Sequence, residues 1–512
     1  MNIVFRVDAS VIIGSGHLMR CLVLADFFKR RGAEIHFISR DLPETYQTLI
    51  TQRGNRLHLL STSNKTEFID DPQGPPHAHW LGVNWQVDAN EVLAVIKTLN
   101  KIEMLVIDHY GLDARWEEIF RNEVRKIFVI DDLADRPHNC DVLLDQNFYL
   151  NSTTRYHDYI QSYTECLLGP QYALLRPEFT LARQKYPRSE RPLKAVQRIN
   201  ICFGGIDAKG DTLKTLAALE PWLKKSLQID VVLGAASPIQ EAVLNFIKSY
   251  PTVQLHISPN HLSELLALAD LGIGAAGGMT WERACVGLPS ITMAVAENQW
   301  KLATDVARAG MHLFLGNSTK VEKQELASAI ELMLANKYLR QSFADNSLRL
   351  TDGKGAERVT QNVLISSIEL REASINDCEN IFKWRNDAVN RRYSHDTREI
   401  TYAEHQSWFE KVLENENRFI LIGSDKQGPL GVLRFDWLEN YWVTSIYLVP
   451  NRHGEGLGAS LLVRGLEWLQ TRSQGRHKVK AEIQPENMAS HIVFQRAGFK
   501  KQFSTFVTEI QE

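Results

Sequence analysis

The chain has 512 residues, more than three times the size of a roughly 150-residue domain, so two or three hydrophobic cores are expected rather than one. Its 44% hydrophobic and 23% charged residues are ordinary for a globular protein, which excludes the disordered and fibrous classes. Lys and Arg number 58 against 61 Asp and Glu, a formal charge of −3. That balance argues against a nucleic-acid partner held by many phosphate contacts and leaves small anionic ligands open. Taken from the start, Met1 to Asp8 reads as a short strand without a basic region and apolar core of signal-peptide type. No uninterrupted apolar run approaches the roughly 20 residues that span a bilayer, so neither secretion nor membrane insertion is expected. The six cysteines (Cys21, Cys140, Cys166, Cys202, Cys285 and Cys378) are dispersed without a C-x-x-C pair. They read as small buried hydrophobes of a cytoplasmic protein rather than a disulfide framework or zinc site, and no metal is expected.

From Asn2 the chain alternates short apolar runs with helical patterns. A strand to Asp8 precedes a helix from about His17 to Arg30 and a strand at residues 34–38. Residues 104–108, 126–131 and 142–144 continue this βαβ pattern. Apolar side chains on both strand faces suit a buried parallel sheet. Asp8, Asp108, Asp131 and Asp145 fall at the strands' carboxyl ends, where open α/β sheets bind ligands. A basic stretch from Arg183 to Lys194 reads as a linker to a second α/β unit, with strands near residues 199–203, 230–233, 271–273 and 290–294. The expectation is two Rossmann-like halves, 1–190 and 191–369, either clamping a ligand between them or standing as independent domains. After about Ser367 the texture changes to hydrophobic strands separated by turns. Residues 370–512 are expected to form a third, mixed α+β domain.

Three motifs carry chemistry. Gly14-Ser15-Gly16-His17 lies between the first strand and helix, where free N–H groups meet polar or anionic ligands. His17 sits at the helix entrance rather than on its apolar face. With a reference pKa near 6.5, a neutral imidazole there removes a proton from water; a satisfied structural histidine is the alternative. Asp8 is the candidate to orient it, or simply a turn cap. Arg6 and Arg20 are anion contacts or surface ion pairs. In the second half, the glycine-rich turn Gly274 to Gly278 precedes a helix beginning near Thr280. Read together, the turn, a Thr280 cap and Glu282 suit a diphosphate and a ribose, against the alternative of a tight structural turn. Asn298 and Gln299 add a polar loop that is either nucleotide-contacting or solvent-facing. In the third segment, Val449-Pro450-Asn451-Arg452-His453-Gly454-Glu455-Gly456-Leu457-Gly458-Ala459 connects a strand to an apolar helix and reads as a pyrophosphate cradle rather than a surface turn. Asn487 starts a later capped helix.

These residues also carry a resemblance. Residues 1 to about 369, through Arg6-Val7-Asp8-Ala9-Ser10, Gly14 to Arg20, Asp131 to Arg136, Asp145-Gln146-Asn147, Gly274 to Glu282 and Glu297-Asn298-Gln299, resemble the nucleotide-sugar hydrolases of pseudaminic acid biosynthesis. Those are themselves similar to two-domain GT-B glycosyltransferases. The resemblance implies metal-free hydrolysis of UDP-2,4-diacetamido-2,4,6-trideoxy-β-L-altropyranose to UDP and free sugar, His17 activating water for attack on the anomeric carbon. It also implies that Glu282 holds ribose and that Gly278, Thr280, Asn298 and Gln299 surround the nucleotide. Gly14, Gly16 and Arg20 join Asp8 and His17 as candidate substrate or catalytic residues.

Residues 370–512 resemble the GNAT acetyltransferases that act on amino sugars in the same route. The resemblance implies acetyl-CoA as cosubstrate, bound by Leu448, His453, Gly454, Gly456, Leu457, Gly458, Ala459 and Asn487. The acceptor implied is a UDP-linked 4-amino sugar. His453 departs from the usual Gln or Arg, and Phe494 stands where many relatives have a tyrosine acid, a proton transfer that phenylalanine cannot perform. Arg385, Asn386, His395, His405 and Trp408 are the sugar-site candidates. A bifunctional acetylating hydrolase is therefore expected. A glycosyltransferase, or a nucleotide-sugar-binding regulatory protein with an inactive GNAT module, is the alternative. Oligomeric state is not legible.

Overall fold

A computed structural model describes the chain except residues 11, 62–70, 189–193, 224–226, 366–367, 395, 426–427, 439, 454–456, 474–477 and 502–512, and the side chains of 365 and 496. The chain divides into two compact units. One holds Asn2–Lys29 and Glu34–Val359; the other holds Met1, Arg30–Ala33 and the chain from Thr360.

The larger unit contains two parallel sheets, as the apolar runs imply. The first comprises β1 (Asn2–Val7), β2 (Glu34–Ser39), β3 (Arg56–Leu59), β4 (Ile102–Asp108), β5 (Ile127–Ile130), β6 (Val142–Asp145) and β7 (Glu165–Leu168), in the order β3-β2-β1-β4-β5-β6-β7. The second comprises β8 (Arg198–Cys202), β9 (Gln228–Leu233), β10 (Val253–Ile257), β11 (Leu271–Ala275), β12 (Ser290–Ala294) and β13 (Leu313–Asn317), in the order β10-β9-β8-β11-β12-β13. Every neighbouring pair in both is parallel. Strand order reverses between β1 and β4 in one sheet and between β8 and β11 in the other. Such switch points open a crevice beyond the carboxyl ends of the strands, and the Gly14–His17 and Gly274–Gly278 turns fall there.

Burial explains which strands the sequence displays. Ile3, Val4, Phe5 and Val7 of β1 are fully buried, whereas β3 and β10 are half-exposed edges with mixed composition. The stretch read as a linker begins differently: Arg183 lies in a helix, Pro177–Lys185, and donates to the carbonyls of Cys285, Thr351 and Leu348 in the second half. Its guanidinium satisfies helix-end carbonyls that would otherwise lack donors, so this end of the segment is a packed strut. Gly274 permits close pairing of β11 with β8, since a Cβ there would overlap the Cys202 carbonyl.

The second unit is built on a five-stranded mixed sheet of β14 (Glu369–Glu372), β15 (Arg418–Asp425), β16 (Gly428–Leu438), β17 (Tyr441–Leu448) and β18 (Lys478–Lys480), in chain order. β14 to β17 are antiparallel neighbours and β18 runs parallel to β17. The Gly458–Arg472 helix buries Leu461, Leu462 and Leu469 against Leu433 and Phe435 of the sheet. Among the described residues, no helix is long and apolar enough to cross a membrane.

Candidate active site

In the larger unit, Gly14 takes φ +79°, a left-handed conformation that suits glycine, and its N–H closes the turn onto the Ser10 carbonyl at 2.8 Å. Gly16 opens the Gly16–Lys29 helix, with free space where a Cβ would stand. The next residue, His17, has a side chain 9% exposed, and its Nδ1 lies 2.6 Å from Asp108 Oδ1. Burial works against the Asp108 carboxylate, yet Arg20 and His17 hold it well below the usual range, so it is ionised and accepts. The imidazole therefore carries its proton on Nδ1 and presents the Nε2 lone pair. No residue described here bonds to Nε2.

Asp8 does not orient His17. Its carboxylate accepts the Arg40 N–H at 2.7 Å and pairs with Arg6 at 2.8 Å and with His109 at 3.3 Å. The reason is register: Val7 stands beside Asp108 across the β1–β4 pair, so the β4 terminus faces the helix entrance. Arg20 is neither a surface ion pair nor a free anion contact. It is buried, donating to both Asp108 oxygens at 2.6 and 2.7 Å and reaching Asp132 at 3.2 Å. Arg6 is likewise buried, held by Asp8 and Asp88.

Several residues at this site escaped sequence reading. Tyr110 packs edge-on to the His17 ring at 4.5 Å and donates its hydroxyl to Asp132, and Trp80 lies 6.3 Å from the same ring. His77 stacks edge-on to Trp80 at 4.7 Å and holds a buried Nδ1 without a hydrogen-bond partner among the described residues. These rings flank the imidazole as an aromatic wall. Only the polar residues at the strand ends, Asp108 with the Asp131-Asp132 and Asp145-Gln146-Asn147 motifs, hinted at this neighbourhood. Asn147 donates to Asp132 at 3.1 Å and accepts from Trp281 Nε1 at 2.8 Å, which joins the first half to the glycine turn of the second.

The second-half turn differs from expectation at its cap. The helix runs Met279–Cys285 with Gly278 at the N-cap and no side-chain cap bond, so Thr280 lies inside it. Thr280 Oγ1 is buried and has no hydrogen-bond partner among the described residues. Glu282, beside it in the helix, is half-buried without a hydrogen-bond partner among the described residues. Burial raises its pKa, opposed by Arg176. Gln299 places its amide against Gly277 and accepts the Val295 N–H at 3.1 Å, while Asn298 is exposed at the start of the Gln299–Arg308 helix. Free N–H groups, an unused hydroxyl and an unused carboxylate are what a diphosphate and a ribose would engage.

In the second unit, β18 pairs with β17 only from Tyr441 to Val443. Beyond it, Thr444 to Leu448 have no strand partner on that side among the described residues, leaving backbone groups for an extended ligand chain. Asn390 fixes the strand's end, donating to the Leu448 carbonyl at 2.9 Å and lying 3.2 Å from His453 Nε2. Leu457 is the N-cap of the Gly458–Arg472 helix, Ala459 lies in its first turn, and Gly458 sits close against Val493. Asn487 caps the Met488–Arg496 helix by accepting the Ser490 N–H at 3.0 Å. Gly454 and Gly456 fall outside the described residues, as does His395. Phe494 is 6% exposed and packed edge-on to Phe499 at 5.0 Å, a core position that offers no proton.

A pocket of about 330 Å³ is lined by Arg385, His405, Trp408, Arg434 and Tyr447, bringing together three of the sugar-site candidates. Asn386 is not among its walls: its amide donates to the Ile400 carbonyl and accepts the Ile400 N–H, clamping the chain.

Residues 367–500 match the acetyltransferase (GNAT) domain family. Over 142 residues the chain is 32% identical to the L-methionine sulfoximine/L-methionine sulfone acetyltransferase of Pseudomonas aeruginosa, covering 26% of this chain and 81% of that protein. The carboxyl-terminal part of the chain thus belongs to the GNAT acetyltransferase family. The amino-terminal part is 26% identical over 311 residues to the UDP-2,4-diacetamido-2,4,6-trideoxy-beta-L-altropyranose hydrolase of Campylobacter jejuni, covering 60% of this chain and 97% of that protein. Its fold is similar to that of the crystal structure of MurG from Acinetobacter baumannii, with a TM-score of 0.50 and 14% identity over 71% of this chain and 99% of that one. The chain therefore joins a GT-B-like pair of Rossmann-like domains to a GNAT acetyltransferase domain.

Proposed function

We propose that the GT-B-like unit is a UDP-sugar hydrolase and that the GNAT unit acetylates the amino sugar that becomes its substrate. The observation that carries the hydrolase reading is the His17–Asp108 pair at a sheet switch point, with Nε2 unengaged. Asp108 accepts the hydrogen bond from Nδ1–H and fixes the tautomer, so Nε2 takes a proton from water. The water oxygen forms a bond to the anomeric carbon as the bond from that carbon to the diphosphate oxygen breaks. UDP leaves with the electron pair, and the Gly278 and Met279 N–H groups stabilise its charge. Glu282 holds the ribose. The similarity to the Campylobacter jejuni hydrolase supports a 2,4-diacetamido-2,4,6-trideoxy sugar as substrate and a place in pseudaminic acid biosynthesis.

In the GNAT unit, the unpaired stretch of β17 and the residues around Leu457 to Ala459 would hold the pantetheine and pyrophosphate of acetyl-CoA. Acetyl-CoA supplies the thioester acyl group. With Phe494 in the tyrosine's place, the thiolate takes its proton from solvent. The residue ranges 1–190, 191–369 and 370–512 are the proposed domains.

The test supplies the monoacetylated UDP-4-amino sugar with and without acetyl-CoA and resolves the products by mass. CoA, diacetylated UDP-sugar, then free sugar and UDP are expected in that order. Acetylation without UDP release removes the hydrolase reading. UDP release only with an added sugar or lipid hydroxyl makes the enzyme a glycosyltransferase. Tight binding with no turnover makes it a regulatory binding protein.

A further inference from the structure

The pocket of the GNAT unit contains a cation that no described carboxylate answers. Of its three arginines, Arg398 is held by Asp396 at 2.9 Å and Glu404 at 3.0 Å, and Arg434 is held by Asp436 at 2.8 Å. Arg385 has no carboxylate partner among the described residues. Its Nη2 donates to the backbone carbonyl of Asp396 at 2.7 Å, and its Nη1 is buried with no hydrogen-bond partner among the described residues. His405 does not share the charge. It is 2% exposed, its Nε2–H donates to the Cys378 carbonyl at 3.1 Å, and burial lowers its pKa, so it is neutral near pH 7.

The buried Nη1 is an unsatisfied donor at the pocket wall, and a planar anion that accepts from it makes a charge-assisted hydrogen bond the protein itself does not supply among the described residues. We infer that the acetyl acceptor of this unit is an amine that also carries an anionic group, a carboxylate or a phosphate, and that Arg385 binds that group. The inference rests on acetyl transfer by this unit and adds the charge of its acceptor. In the reaction the neutral amine nitrogen forms a bond to the thioester carbonyl carbon and the C–S bond breaks. The nitrogen loses one proton to solvent, and the departing thiolate takes one up. Arg385 touches neither reacting atom and acts by holding the acceptor. Polycationic amines bring no anion for Arg385 and place a like charge beside it.

The experiment uses the full chain with acetyl-CoA and follows CoA thiol release. Four acceptors are compared: L-methionine sulfoximine, which carries a carboxylate; a UDP-linked 4-amino sugar, which carries a diphosphate; spermidine; and kanamycin. Turnover should favour one of the first two, and which one identifies the anion's source. For that acceptor, Arg385→Gln should raise KM by roughly 10- to 100-fold, as expected for losing a charged hydrogen bond, with the KM for acetyl-CoA unchanged. Arg385→Lys, which keeps the charge but not the fork, should recover part of the loss. Preference for spermidine or kanamycin, or an Arg385→Gln enzyme with unaltered acceptor KM, overturns the inference alone. Failure of the wild-type chain to bind acetyl-CoA in calorimetry overturns acetyl transfer and the inference with it.

Discussion

Trp281 Nε1 donates to Asn147 Oδ1 over 2.8 Å, a hydrogen bond that joins the helix after the second-half glycine turn to the loop following β6 of the first half. Both partners are buried, and Trp281 is fully so. Trp281→Phe keeps most of the ring and leaves Asn147 Oδ1 without its donor, which should cost ~1–3 kcal/mol in denaturant unfolding of the full chain. An unchanged unfolding midpoint would show that the bond does not stabilise the contact.

Asp108 tests the proton placement on His17. Asp108→Asn exchanges the carboxylate for an amide whose NH2 can donate to Nδ1 and favour the other tautomer, and kcat for UDP release should fall by roughly 10²–10⁴ with KM little altered. The same change leaves Arg20 short of a buried counter-ion, so a stability loss of about 3–5 kcal/mol should accompany it. Steady-state rates belong at a temperature where circular dichroism shows the variant folded. A variant with wild-type kcat would place the working base elsewhere.

Two buried groups give the larger unit opposite pH responses. His312, 4% exposed with its Nε2–H donating to the Ala303 carbonyl, has its pKa lowered by burial to about 4. Between pH 6.5 and 4 the unfolded chain binds a proton that the folded chain refuses, so this group's stabilisation is lost as pH falls, by about 3 kcal/mol in total. Asp145 is pushed up to about 8 by burial and by Asp132. Its folded form retains a proton that the unfolded chain releases near pH 4, so stability falls as pH rises toward 8. In thermal melts, His312→Gln should gain on wild type as pH falls from 6.5 to 4. Asp145→Asn should gain on wild type as pH rises from 4 to 8. Parallel pH profiles for variant and wild type would refute either assignment.

Much of this architecture was legible because buried parallel strands need apolar faces, and β1, β4, β5, β11 and β12 display them. The edge strands β3 and β10 were not legible, since Arg56 and Gln254 face solvent and break the pattern. His17 was readable from its place beside two glycines, but its carboxylate was not. Asp8 is nearer in sequence, and only the pairing of β1 with β4 brings Asp108, 91 residues away, to the imidazole. The helix cap was misplaced because Thr280 is a favourable capping type, whereas the chain turns at Gly278 and buries the threonine hydroxyl inside the helix. Arg385 could be named as a pocket residue. That it has no carboxylate partner among the described residues emerges only once Asp396 and Glu404 are seen to hold Arg398 instead.

The most direct measurement is hydrolysis of the diacetamido UDP-sugar in ¹⁸O-labelled water without any acceptor, with the label located by mass in wild type and in His17→Ala. Attack on the anomeric carbon by water activated at Nε2 predicts one ¹⁸O in the free sugar and none in UDP. It also predicts a rate for His17→Ala lower by at least ~100-fold. Label in the UDP phosphate, or an undiminished rate in His17→Ala, would contradict it.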